Sequence, residues 1–166
     1  SVTMNSLKLI ALKDFPDVEP GNNIAKLIIN NLNTNNIPID DFDVIVIAQK
    51  VISKAENRYI DLDNINISDQ AKKLALKLKK DKGLVQAILN ESNKIISTKK
   101  NVIIVEHKLG FININAGIDQ SNIPQADNLA LLLPENPTKS AEVIQTTLSN
   151  QLNKNLSIII SDSMTR

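Results

Sequence analysis

The chain contains no cysteine. That excludes disulfides, thiolate nucleophiles and cysteine-ligated zinc. Aromatic residues make up only 2% of the 166 residues, so a core has to be built from Ile, Leu, Val and Ala. His107 is the only histidine. A histidine-rich zinc site is therefore excluded, and no Ser-His-Asp arrangement can be assembled around it. His107 could act as an acid or base, but a structural place at a strand end is the expected one. The net charge is +1, which gives no broad basic surface for duplex nucleic acid. No apolar run approaches the roughly 20 residues that span a bilayer, so no membrane partner is expected. Neither the Walker-type glycine-rich loop nor G-x-G-x-x-G occurs, so both familiar phosphate cradles are missing. No secretory signal is visible, the residues ahead of Met4 read as an expression remnant, and the cytoplasm is the expected location.

What is present is a soluble, globular composition, with 42% hydrophobic and 22% charged residues. The length suits one ordinary domain, or one domain plus part of another, and is enough for a core without staples. The stretch from Ser6 to Pro16 alternates and stops at proline, which predicts a strand. Ile24, Leu27, Ile28 and Leu32 fall on one helical face behind the turn at Pro20 and Gly21. The run Val44–Ala48 predicts a strand buried on both faces. A short strand follows over "NRYIDLDN". Ser68 is a good N-cap for a helix that Gly83 is expected to break, and a second helix is predicted over residues 84–97. "NVIIVEHKLGFININAG" predicts two strands about a turn near Lys108–Gly110, and "NLALLLP" another buried strand. Asn136 caps a helix with Pro137 in its first position, and "NLSIIISD" is a final strand. The predicted order is β α β β α α β β β α β, an α+β chain with mixed β-sheets packed with helices.

Three stretches could carry chemistry. Asp162 follows a buried strand and is flanked by Ser161 and Ser163. A carboxylate there, with a neighbouring hydroxyl, can hold a hard divalent cation, although an Asp in such a place also serves as a simple cap. In "NINAGIDQSN" the chain turns at Asn115–Gly117 and presents Asp119 and Asn122. These suit a metal beside a nucleotide, or equally an Asx-type turn. Lys50, Lys54 and Arg58 follow the Val44–Ala48 run. Lysines there can neutralise phosphate as compact charges, or simply be solvated.

The joint order of "FPDVEPGNN", "DVIVIAQKVISKAENR", "LVQAILNES", "VIIVEHKLGFININAGIDQSN", "LLLPENPTKSAE" and "IIISDS" resembles the coenzyme F420-0:L-glutamate ligases from about Leu7 onward. "VISKAE" and "NAGIDQSN" are its most specific pieces. The resemblance implies a GTP-dependent, cytoplasmic homodimer that joins L-glutamate to the deazaflavin coenzyme F420-0. It implies manganese or magnesium, with potassium as a further candidate ion. It implies metal ligation by Asp119, Asp162 and Ser163. It implies nucleotide contacts from Lys54, Asn122, the loop Phe15, Pro16, Asp17 and Val18, and the pair Gln49 and Lys50.

Two departures stand out. Gln49 and Lys50 occupy positions where the family often has smaller hydroxyl residues. Thr165 stands where glycine is common, and the family's later part, with a further metal ligand, is not found after Arg166. Residues 1–166 are thus expected to be the N-terminal GTP- and metal-binding portion of such a ligase. A nucleotide-binding relative without catalysis, and a ligase for another carboxylate acceptor, are the competing readings.

Overall fold

The computed structural model describes residues 5–120 and 128–162. Among these the fold is α+β. Five helices alternate irregularly with seven short strands that form three separate small sheets. Parallel and antiparallel pairing occur, each in its own sheet.

The first layer is built by α1 (Ile24–Thr34), β1 (Val44–Ala48), α2 (Gln49–Ala55), α5 (Pro137–Leu152) and β7 (Ser157–Ser161). Helix α1 starts where the Asn23 side chain accepts the Lys26 N–H, and α5 starts where Asn136 accepts the Lys139 N–H behind Pro137. Strands β1 and β7 pair in parallel, with Val46 opposite Ile159 and Ala48 opposite Ser161. One face of this pair, carrying Ile45, Ile47, Ile158 and Ile160, packs with Ile28, Leu32, Ile144 and Leu148 of the helices. The other face is open, with Val44, Val46 and Ile159 each more than half exposed. The two-sided burial expected of the Val44–Ala48 run is thus corrected. The helices that pack on the sheet all cover the same side.

The second layer holds α3 (Asp69–Leu78), α4 (Lys82–Asn90) and the antiparallel sheet of β3 (Ser92–Ser97), β4 (Ile104–His107) and β5 (Ile112–Ile114), in the order β3-β4-β5. Its core joins Ala71, Ala75 and Leu78 to Val85, Ile88, Ile103 and Val105. Between the layers, β2 (Tyr59–Asp61) pairs antiparallel with β6 (Leu129–Leu131). A small cluster of Leu62, Ala87 and Ala130 fills that space.

Three further expectations change. Residues 5–12 form no strand and lie largely exposed, Leu7 and Leu9 most of all, so the alternation there has no sheet to serve. Gly83 does not end a helix. Helix α3 stops at Lys79 in a left-handed conformation (φ 53°), and Gly83 sits in the first turn of α4 behind the Asp81 cap. The second predicted helix stops at Asn90, and residues 92–97 are strand β3. Their side of the chain is claimed by pairing with β4, from Ser92 opposite His107 to Ser97 opposite Ile104. Pairing with β4 overrides the helical spacing that runs from Leu84, Ile88 and Leu89 on to Ile95.

Candidate functional site

The site grows out of the β1–α2 junction. Ala48 ends β1 and Gln49 opens α2 directly, with no intervening loop. This helix is absent from the predicted order, because seven residues carry too little periodicity to announce themselves. Its consequence is geometric. Lys50 and Lys54 are one turn apart on α2, so their stems leave the same side of the helix. Both are half-buried. The parallel register, with Ala48 opposite Ser161, sets Gln49 and Asp162 at the same level, each just past the carboxyl end of its strand. Asp162 is exposed.

Asp119 arrives from another part of the chain. Asn115, Ala116 and Gly117 form a 3-10 turn with three consecutive positive φ values, 54°, 53° and 70°. Gly117 supplies one of these without strain, and its missing Cβ leaves room for Leu133, whose methyl carbon would lie 2.7 Å from it. Beyond the turn, Asp119 is clamped to Leu131 by two backbone hydrogen bonds, Asp119 N–H to Leu131 O at 3.0 Å and Leu131 N–H to Asp119 O at 2.7 Å. The carboxylate then meets α2. Lys50 Nζ lies 2.5 Å from Asp119 Oδ2, with both side chains about one-fifth exposed. The polar turn and the strand-end lysine, 69 positions apart in the sequence, are one site.

Just after the Phe15–Val18 loop, Gly21 N–H donates to Ala55 O at the far end of α2, at 2.9 Å. Phe15 and Val18 turn inward, whereas Pro16 and Asp17 are exposed. Phe15, Pro16, Asp17, Val18, Gln49, Lys50, Lys54, Asp119 and Asp162 all lie within the described residues. Asn122 and Ser163 lie outside them.

Arg58 is not free to meet a ligand with its whole guanidinium. Its Nε donates to Leu133 O and its Nη2 to Glu91 Oε1, both at 2.8 Å. Glu91 also receives Lys108 Nζ at 2.5 Å. His107, 1% exposed, stacks on Phe111 with ring centroids 5.0 Å apart. The Leu109 N–H donates to its Nδ1, so the ring proton is on Nε2. Burial lowers the His107 pKa, Lys108 and Arg58 add to that, and Glu91 opposes it. The structural place expected for His107 is what is found.

Two features escaped the sequence reading. Asn115 Oδ1 is buried with no hydrogen-bond partner among the described residues. Asn128 Nδ2 donates to Asp63 Oδ1 and Asp81 Oδ2, both at 3.0 Å, which pins the start of β6 beside the α4 cap. Nothing in the sequence signals either, since both depend on pairing across distant segments.

A cleft of about 690 Å³ lies between the start of α1 and the first turns of α5, and none of Lys50, Asp119 or Asp162 lines it. Volume does not mark this site; its donor chemistry does. Asp119 and Asp162 are oxygen donors of the kind a hard divalent cation takes, and Asn115 Oδ1 has no hydrogen-bond partner among the described residues. Among the described residues no group of three or more His, Cys, Asp or Glu forms a full cage. No helix of the described residues is long and apolar enough to cross a membrane.

Residues 13–166 match the family model described as F420-0:Gamma-glutamyl ligase. The chain belongs to this family. It is similar to the Coenzyme F420:L-glutamate ligase of Methanothermobacter thermautotrophicus, 42% identical over 96% of this chain and 63% of the relative. The protein of that name from Methanocaldococcus jannaschii is 45% identical over 78% of this chain and 51% of its own length. That from Haloarcula marismortui is 32% identical over 96% and 62%. The chain thus spans between half and just under two thirds of these relatives. The family resemblance and the α+β fold expected from the motifs are both borne out.

Proposed function

We propose that this chain contributes the nucleotide- and metal-binding site of a GTP-dependent ligase that joins the amine of L-glutamate to the terminal carboxylate of coenzyme F420-0. The observation that carries the reading is the meeting of Lys50 with Asp119 at the β1–α2 junction, beside the strand end at Asp162. A cation-binding carboxylate and phosphate-binding lysines belong side by side where a triphosphate is handled. Family membership supports the choice of substrates.

The chemical obstacle is that a carboxylate is a poor electrophile. In the proposed reaction an acceptor carboxylate oxygen attacks the γ-phosphorus of GTP. The bond to the β-phosphate oxygen breaks, and GDP leaves. The acyl phosphate then takes the glutamate amine at its carbonyl carbon. Inorganic phosphate departs, and the nitrogen loses a proton to give the amide. Asp119 and Asp162 would hold a divalent ion, manganese or magnesium, with Ser163 beside Asp162. Bound there, the ion supplies positive charge at the phosphate oxygens. Lys54 lies on the same side of α2 and adds a fixed charge toward the phosphates. The Phe15–Val18 loop, just ahead of the Gly21 contact with α2, would border the nucleotide, with Gln49 beside it and Asn122 completing its contacts. The chain's part is positioning and charge, and no covalent enzyme intermediate is required.

The test is a titration of GTP into the chain by calorimetry with manganese present and ATP as comparator. It is coupled to mass spectrometry of F420-0 incubated with glutamate and GTP. Manganese-dependent preference for GTP and a product heavier by one glutamyl unit support the reading. Equal binding of ATP, or binding indifferent to manganese, defeats it. A product from another carboxylate acceptor but none from F420-0 would reassign the substrate.

A further inference from the structure

The Asp119 carboxylate already has a cation against it. Lys50 Nζ forms an ion pair with Asp119 Oδ2 at 2.5 Å, and about four-fifths of each side chain is shielded from solvent. The backbone on both sides is fixed. Asp119 is held by its paired hydrogen bonds to Leu131, and Lys50 stands in the first turn of α2, directly after a strand in register with β7. Neither main chain needs to shift for the contact to form or break. The mobile part is the four-carbon lysine stem.

We propose that Lys50 is a resident counter-ion that competes with a divalent metal for Asp119, so that metal and nucleotide load this site together. This rests on the reading of Asp119 as a metal ligand. A metal within about 2.2 Å of the carboxylate oxygen would lie within about 4–5 Å of the ammonium as it now stands. In a partly shielded site that repulsion is only weakly screened. Metal alone would therefore bring two further positive charges to a carboxylate that one ammonium already neutralises. The ammonium has to swing away, and it then needs an acceptor. A nucleotide phosphate supplies one, on the same side of α2 as Lys54. Each ligand thus removes a cost that the other meets, and by linkage the coupling is reciprocal. The same contact compensates the carboxylate and joins the segment after the 115–117 turn to α2.

The experiment measures manganese binding without nucleotide, by calorimetry and by the electron paramagnetic resonance signal of free manganese. The proteins are wild type, Lys50→Ser, Lys50→Arg and Asp119→Asn, each first shown by circular dichroism to be folded. The series is repeated with a non-hydrolysable GTP analogue. Lys50→Ser is expected to bind manganese alone about fivefold more tightly than wild type, the scale of one partly shielded ion pair. The gain in manganese affinity caused by the analogue is expected to shrink by a similar factor. Lys50→Arg, which keeps the charge, should stay within about twofold of wild type. A purely structural role for Lys50 would make the serine variant bind no more tightly. That outcome, including undetectable binding in both, overturns the proposal. If Asp119→Asn binds manganese as well as wild type, the metal reading fails instead, and the two failures are distinct.

Discussion

Arg58 reaches across the sequence to Glu91, its Nη2 donating to Oε1 at 2.8 Å while its Nε holds the Leu133 carbonyl. One side chain thereby ties the exit of α2 to the end of α4 and to the segment that follows β6. The Glu91 carboxylate is only 8% exposed and also takes Lys108. Glu91→Ala would leave the Arg58 guanidinium shielded and unpaired. The expected loss is about 2 kcal/mol, below the figure for fully buried pairs because Lys108 remains solvated. Urea unfolding measures it, and a loss under about 0.5 kcal/mol would mean that the pair contributes little.

Stability should fall as the pH drops below the ordinary histidine value of 6.5. The folded state lowers the His107 pKa, mainly by burial, so the unfolded chain takes up the proton first. The contribution is complete above 6.5 and is lost as pH falls toward the lower folded value. Thermal melting from pH 7.5 to 5 should show this decline. His107→Leu should be flatter over the same range, whatever its absolute stability.

Gly83→Ala should be destabilising despite alanine's higher helix propensity. A Cβ there would lie 2.2 Å from the carbonyl oxygen of Leu62, a backbone atom that cannot swing aside. The expected cost is about 2 kcal/mol or more, against a propensity gain of about 1 kcal/mol. Chemical denaturation of Gly83→Ala beside wild type decides the sign.

The open face of the β1–β7 pair predicts a contrast between neighbours. Ile47, 6% exposed, should cost about 2–5 kcal/mol as Ile47→Ala. Val46, 59% exposed, should cost under about 1 kcal/mol as Val46→Ala. Equal losses at both positions would restore the two-sided strand that the apolar run suggests.

Asp119→Asn and Asp162→Asn each remove a charge from the proposed metal site. Manganese-dependent GTP binding should weaken at least about tenfold in each, with manganese-independent binding changed far less. Calorimetry at fixed GTP with and without manganese separates the two. Unaltered manganese dependence in both variants would remove these residues from the ligand set.

Local signals are legible in the sequence. The caps at Ser68 and Asn136 and the turn before Phe111 each depend on neighbours a few residues away. Helix α2 and strand β3 are not legible in the sequence, for opposite reasons. The first is too short to show a period, and the second has helical spacing that pairing with β4 overrides. Of the candidate site, Lys50 and Asp119 each stand out in the sequence, but their contact does not.

Residue type and order are enough to dictate the aliphatic core, to exclude thiol and histidine-rich metal chemistry, and to set the helix caps and the motif order that identifies the family. Those follow from residue type and short-range spacing. Only the tertiary structure decided which face of β1 is covered, that Arg58 is committed to Glu91, and that Lys50 rests on Asp119. These depend on how segments tens of residues apart come together. Side-chain chemistry sets which contacts are possible, and the backbone pairing of β1 with β7 and of Asp119 with Leu131 selects the ones that form.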